Sequence, residues 1–256
     1  MVLSPALIAA LVAIALVAGV GITTIGPGGI FVTVALYALT PLSSAEVAGT
    51  AHATFIVTGL VGTVAYARSG ELLDGGGRGM AAILSSASVV GALAGAALNS
   101  YVSRNLFGIL LGAVAGLTGA TLLYREWREL EPIVSVDAST RDGQAALGTL
   151  GFGLGVASGL VGVGGPVLAV PALVVLGVPI LLALGVAQVQ SIFISGFATA
   201  GYFAQGAVSV PYAVLVGVPQ VAGVVVGWSI AHRVDPARLK VVLGAILVGV
   251  GGYLIA

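Results

Sequence analysis

The chain has 256 residues, no cysteine, and nine basic against nine acidic side chains, for a formal net charge of zero. Hydrophobic residues make up 59% and charged residues only 7%, against roughly 25% charged in a soluble domain, so most of the surface cannot face water. Without cysteine there are no disulfides, thiolate metal sites or cysteine nucleophiles, and the balanced charge offers no basic patch for nucleic acid.

Apolar runs recur along the whole length. In chain order they fall at about 5–24, 29–40, 46–67, 80–101 and 105–124, then at about 145–162, 166–177, 183–204, 211–232 and 237–254. The first has no positive stretch ahead of it and reads as a retained helix rather than a signal peptide. Most runs are long enough to cross a ~30 Å hydrocarbon core at about 1.5 Å per residue. The alternation of a membrane β-barrel is absent. The expected fold class is therefore an all-α polytopic membrane protein in a plasma or inner membrane.

Two runs are too short to cross: 29–40 and 166–177. Each follows a glycine-rich break, "ITTIGPGGIF" and "LVGVGGPVLAV". Sliding the chain along itself until Gly28-Gly29 meets Gly164-Gly165 also sets Gly49 on Gly185, Tyr66 on Tyr202 and Gly70 on Gly206. Further on, a slightly smaller shift pairs Gly91 and Gly95 with Gly223 and Gly227, and Leu111-Gly112 with Leu243-Gly244. Two halves of about five helical segments each are expected, 1–125 and 143–256, with a charged cytoplasmic linker at 126–142. The stretch Tyr124 to Gly143 holds eight of the 18 charges.

Positive loops stay cytoplasmic. With five crossings per half, Arg68, Arg78, Arg125, Arg128, Arg141, Arg233, Arg238 and Lys240 share one face and Arg104 stands alone opposite. With four crossings the split is nearly even. Five is odd, so the second half enters from the opposite side, which makes an inverted repeat with both termini outside.

Inverted repeats that each carry a glycine- or proline-interrupted segment at the matching place point to a secondary transporter. A helix ended inside the bilayer leaves N–H groups unpaired at a positive dipole end, and an anion completes it without a buried arginine. Gly26, Pro27, Gly28 and Gly29 in one break, and Gly162, Gly164, Gly165 and Pro166 in the other, are the candidate substrate-binding backbone. Gly28, Gly29, Gly164 and Gly165 are expected to surround one buried cavity shared by both halves. At Gly91/Gly95 and Gly223/Gly227 close helix packing is the better reading.

His52 is the one titratable group well inside an expected span and aligns with Gln188. It reads equally as a substrate donor or proton relay and as a neutral ring bonded to a neighbouring helix. Thr50, Thr54, Gln190 and Ser191 lie on the same two segments as His52 and Gln188. With Gln188 they are candidate cavity-lining groups, and interhelical hydrogen bonding explains any one of them equally well. Thr23 and Thr24 precede the first break and either satisfy its backbone or line the path. Asn99 reads as a helix cap, Glu46 as part of a capping box with Ser43, and His232 as solvated in a cytoplasmic loop.

At these residues the chain resembles the sulfite exporter TauE/SafE family, also described as toluene-sulfonate uptake permeases. The likeness is carried by "GLVGVGGPVLAVPALVVLGVP" (159–179), by "IGPGGIFVTVALYALTPLSSAEVAGTAHATF" (25–55) with its A-x-x-A-G-T run at Ala45 to Thr50, and by Tyr66 to Gly70. In this chain Pro27 interrupts one glycine triplet, Pro166 ends the other, and "ALGVAQ" lacks the usual Gly-Thr/Ser. The resemblance implies a permease or exporter of sulfite or another small sulfur-containing or organosulfonate anion, with coupling to protons or another ion left open. Beyond that anion and the lipid bilayer no partner is implied, and neither a cofactor, a metal nor a catalytic residue.

An anion channel and a structural membrane subunit are the alternatives. An intramembrane serine hydrolase built on "GVASG" (155–159) would need a histidine within about 3 Å of the serine. The expected topology sets His232 at the membrane edge and His52 in the other repeat.

Overall fold

The computed structural model describes residues 4–72, 76–128, 138–233 and 236–256. Every regular element among them is helical: α1 (Pro5–Thr24), a 3₁₀ turn (Pro27–Gly29), α2 (Ile30–Leu39), α3 (Ser44–Arg68), α4 (Gly77–Asn99), α5 (Arg104–Arg128), α6 (Arg141–Val161), α7 (Gly165–Val175), α8 (Ile180–Ala204), α9 (Val210–Ala231) and α10 (Pro236–Ile255). Seven of them, α1, α3, α4, α5, α6, α8 and α9, are long and apolar enough to cross a membrane. Each expected run holds one helix. The linker is shorter than its charge run suggests, because α5 continues to Arg128 and α6 begins at Arg141; residues 129–137 lie outside the described ones.

Local chemistry sets the boundaries. Ser4 caps α1 through the Leu7 N–H, with Pro5 at the first helical position, where its missing N–H costs nothing. Ser43 and Glu46 form the reciprocal capping box at the start of α3, and Thr140 caps α6 through the Gly143 N–H. The two breaks end differently. Gly26 takes φ +110° after α1 and Gly162 takes φ +69° after α6, a region that side-chain-bearing residues avoid.

The helices pair across the halves. α1 lies on α9, α4 on α6, α5 on α10, and α3 crosses α8 at the centre. Lipid tails are as apolar as leucine, so association rests on close contact rather than on exclusion from water. The small residues supply it. A Cβ added at Gly223 or Gly227 would lie 2.2 or 2.4 Å from the Leu16 or Val20 carbonyl oxygen. One added at Gly91 or Gly95 would lie 2.2 or 2.3 Å from the Phe152 or Val156 oxygen. These are the packing glycines expected from the sequence. The carbonyls that they meet correspond as well, Leu16 to Phe152 and Val20 to Val156, under the shift that aligns the two breaks.

Outside the bundle, Val17, Val90, Leu117 and Val218 are more than half exposed, as suits side chains that meet hydrocarbon. Arg104 answers a specific need. Its guanidinium donates to the Leu42, Tyr37 and Thr40 carbonyls and sits 4.6 Å above the Tyr37 ring centroid. It thereby closes the C-terminal end of α2, where orphan carbonyls and a negative dipole end favour a cation.

Candidate functional site

The two breaks meet inside the bundle. Gly26 lies against α7, where an added Cβ would come within 3.0 Å of the Pro166 carbonyl oxygen and 2.8 Å of Val170. In the other direction, Thr33 of α2 donates to the Gly162 carbonyl at 2.5 Å. Gly26, Pro27, Gly28, Gly29, Gly162, Gly164, Gly165 and Pro166 are all buried. Between the breaks stands the Phe55 ring, 3.1 Å from a Cβ built on Gly29 and 3.3 Å from one built on Gly164. The cavities described lie between α4 and α8, α1 and α10, α5 and α7, and α5 and α10, and Gly28, Gly29, Gly164 and Gly165 line none of them.

Neither short helix has a side-chain cap: Gly29 stands at the start of α2 and Gly164 at the start of α7, and neither can offer a side-chain oxygen. The first N–H groups of any helix lack an intrahelical acceptor. Here they sit inside the bundle among buried residues.

The flanking polar groups tie one half to the other. His52 Nε2 lies 3.0 Å from the Ser158 carbonyl and must carry the proton that it donates there. Its Nδ1 then accepts from Ser195 Oγ at 3.2 Å. A neutral ring thus uses both nitrogens. Gln188 Nε2 donates to the Ile22 carbonyl at 3.3 Å, while its Oε1 is buried without a protein partner. The shift that superposes the breaks turns one link into the other, carrying His52 onto Gln188 and Ile22 onto Ser158. It also relates two buried tyrosines: Tyr66 donates to the Thr23 carbonyl at 2.5 Å and Tyr202 to the Gly159 carbonyl at 2.7 Å.

The other candidates lie further from the breaks' contact or serve packing. Thr50 Oγ1 accepts the Ser209 N–H at 2.9 Å, at the start of α9. Gln190 Nε2 donates to Ser88 Oγ at 2.7 Å, linking α8 to α4. Ser191 is buried beside Gly165, whose added Cβ would lie 2.9 Å from the Ser191 nitrogen. Of the threonines before the first break, Thr23 donates to the Val224 carbonyl and Thr24 to that of Val20.

At the helix ends, one expectation is corrected and one is extended. Asn99 does not cap its own helix: its Nδ2 donates to the Leu160 carbonyl at 2.7 Å, because the end of α4 lies beside the end of α6. His232 is exposed at the end of α9, as expected, and has partners as well. Its Nε2 lies 2.9 Å from Glu71 Oε1 and its Nδ1 donates to the Trp228 carbonyl at 2.8 Å, because the turns that follow α3 and α9 meet.

Ser158 was singled out from the sequence, as the serine of "GVASG", and the expectation that His52 lies away from it is corrected. His52 meets the Ser158 carbonyl, however, while the Ser158 Oγ donates to the Val163 carbonyl. Phe55, Thr33 and Ser195 were not among the residues singled out. One signal was available for the first: the alignment of the halves sets Phe55 opposite Ser191, a large side chain against a small one in the segment that also holds His52.

No curated protein and no solved structure matches the chain. The family model for "Sulfite exporter TauE/SafE" matches residues 11–254, all but the extreme ends. Its match spans the glycine-broken segments and the helices that hold them. The chain therefore belongs to the sulfite exporter TauE/SafE family of membrane transporters, and is a multi-pass membrane protein.

Proposed function

We propose that the protein is a secondary transporter that carries a small anion, sulfite or another sulfur-containing or organosulfonate anion, through a midplane site between the two helix breaks. The observation that carries this reading is the meeting of two uncapped helix starts inside the bundle. α1, α3 and α6 begin with Ser4, Ser43 and Thr140 as side-chain caps. α4, α8 and α9 have none but start at exposed or half-buried residues, whereas the bare glycines that start α2 and α7 are buried. Leaving such N–H groups unsatisfied costs several kcal/mol in lipid. An anion would satisfy them and would be attracted by two positive dipole ends, each equivalent to roughly half a charge.

The recurrence of cross-links at one constant spacing supports an inverted repeat, with halves 1–125 and 143–256 around the cytoplasmic segment 126–142. The charge pattern supports the same arrangement. In it the breaks approach the site from opposite sides, as alternating access requires. His52 and Gln188 then hold carbonyls in the last turn of the helix before each break, Ser158 and Ile22.

The test is flux in liposomes that contain the purified protein, with sulfite, thiosulfate, sulfoacetate and taurine offered separately. Saturable uptake of at least one, competed by the others, is the expected result. Flux that rises linearly with concentration would indicate a channel, and no flux of any of the four would sink the reading. If protons are coupled through His52, His52→Gln abolishes the response to an imposed pH gradient; an unchanged response removes His52 from that role.

A further inference from the structure

We propose that Phe55 is an internal plug: its ring occupies the place between the two breaks that the transported anion must take, and the site opens only when the ring leaves. The proposal rests on the transport reading above and adds to it the residue that keeps the path shut.

Phe55 is 1% exposed on α3, and its ring bridges the two helix starts. Its far edge, Cε1 and Cζ, lies 3.1 and 3.3 Å from a Cβ built on Gly29; its near atom Cγ lies 3.3 Å from one built on Gly164. Gly29 and Gly164 are the N-cap residues of α2 and α7. A serine there would cap the helix; the structure puts one ring across both. A benzene ring accepts no ordinary hydrogen bond, so as an occupant it is replaceable by any group that does. Its electron-rich face makes it the least hostile apolar neighbour for a positive helix end.

The asymmetry of the halves supports the same role. The crossing of α3 with α8 runs from the His52–Ser195 contact to the packing of Gln188 over Gly62, and so passes Phe55 and Ser191 near its middle. The alignment of the halves makes these two counterparts: Gly29 faces Phe55, and Gly165 faces the Ser191 backbone. Gly165 packs so closely on the α8 backbone that an added Cβ would lie 2.9 Å from the Ser191 nitrogen, so the second half has a close backbone approach where the first half has the ring. One ring with one small partner covers both breaks.

The plug is also tethered. His52 stands edge-on to Phe55, with centroids 6.2 Å apart and planes at 87°. His52 is fixed in turn to Ser158, whose Oγ donates to the Val163 carbonyl within the second break. Movement of that break therefore reaches the ring through one histidine.

The chain has no cysteine, so a single Ser191→Cys substitution is a clean reporter and nearly isosteric. Its rate of labelling by a membrane-impermeant, anionic thiosulfonate is measured in liposomes with Phe55, Phe55→Leu and Phe55→Ala. A closed state that opens a few per cent of the time gives slow labelling with Phe55, at least about tenfold faster labelling with alanine, and an intermediate rate with leucine. Equal rates in all three overturn the proposal. If the alanine variant does not purify as a single species, the leucine variant decides alone: faster labelling supports the plug and an unchanged rate overturns it. Flux by the native chain is scored separately. Labelling released by Phe55→Ala without native flux of any anion would leave the plug standing and sink the transport reading.

Discussion

At one position of the α3/α8 crossing the first half places His52, and at the matching position the second half places Gln188. Both reach a carbonyl in the last turn before the opposite break, but not equally well. The histidine closes two links and leaves no polar atom over, while the glutamine makes one long bond at 3.3 Å and keeps a buried, unpartnered Oε1. A fully satisfied buried network rigidifies its surroundings and a partly satisfied one does not. The helix before α7 is thus tied by a fully satisfied side chain where the helix before α2 is tied by a half-satisfied one, and Thr33 and Asn99 add links to the second break.

That contrast can be broken by substitution. His52→Ala removes two interhelical links and leaves a gap under Phe55 and Tyr202, so it should destabilise the bundle by about 2–3 kcal/mol, read as a shift in the unfolding midpoint in detergent. Gln188→Ala should cost only about 1 kcal/mol, since it also removes an orphan oxygen. Equal losses would show that the two links are equivalent after all.

The tyrosines sharpen the comparison from the other side, because they are matched where His52 and Gln188 are not. Tyr66→Phe and Tyr202→Phe each delete one hydrogen bond to a break-side carbonyl. Each should cost about 0.6 kcal/mol, a usual value for such a bond in a membrane bundle, and the two should agree. A large difference between them would mean that one break depends on its tyrosine for more than a hydrogen bond.

The smallest expected effect separates the two faces of the molecule. Glu71 and His232 join the turns after α3 and α9, whereas their counterparts in the other halves, Ala207 and Ser100, carry no charge. The hydrogen bond to the Trp228 carbonyl, with help from the Glu71 carboxylate, holds His232 above its usual range. Burial pushes Glu71 up, but hydrogen bonds from Ser69 and His232 outweigh it and leave the carboxyl below its usual value. The sign follows: the histidine's contribution is complete below its ordinary pKa of 6.5 and is lost as pH rises through its raised one. The carboxylate's is complete above 4.5 and is lost as pH falls through its lowered one. Glu71→Gln should therefore cost most between those two values and little at pH 9. With both side chains partly solvated, the loss should stay below about 0.5 kcal/mol. A deficit that is the same at pH 5.5 and pH 9 would show that the contact is not ionic.

Much of the helical plan was legible because in this chain apolar runs and their breakers coincide with the elements. The run at about 5–24 is α1, and the two short runs are α2 and α7 to within two residues. Charged ends were less legible: α5 runs on through Tyr124, Arg125 and Trp127, since a helix does not stop where its hydrophobicity does. The breaks could be read because consecutive glycines beside proline have few other uses in an apolar segment. Phe55, Thr33 and Ser195 could not, because one phenylalanine or hydroxyl in a membrane helix carries no local pattern and gains meaning only from what lies across the bundle. Asn99 and His232 show the same limit: their positions at helix ends were read correctly and their partners were not.

The pairing of α1 with α9 has a consequence for how the chain is made. Thr23 bonds to the carbonyl of Val224, 201 positions later in the chain. At roughly 5–20 residues per second of synthesis, α1 waits tens of seconds in the bilayer with its carbonyl-bearing face against lipid before its partner exists. α4 likewise has to await α6, and α5 to await α10. Despite its repeated pattern, the first half therefore completes few of its main helix pairs by itself: α4, α3, α1 and α5 meet their partners only as α6, α8, α9 and α10 are made.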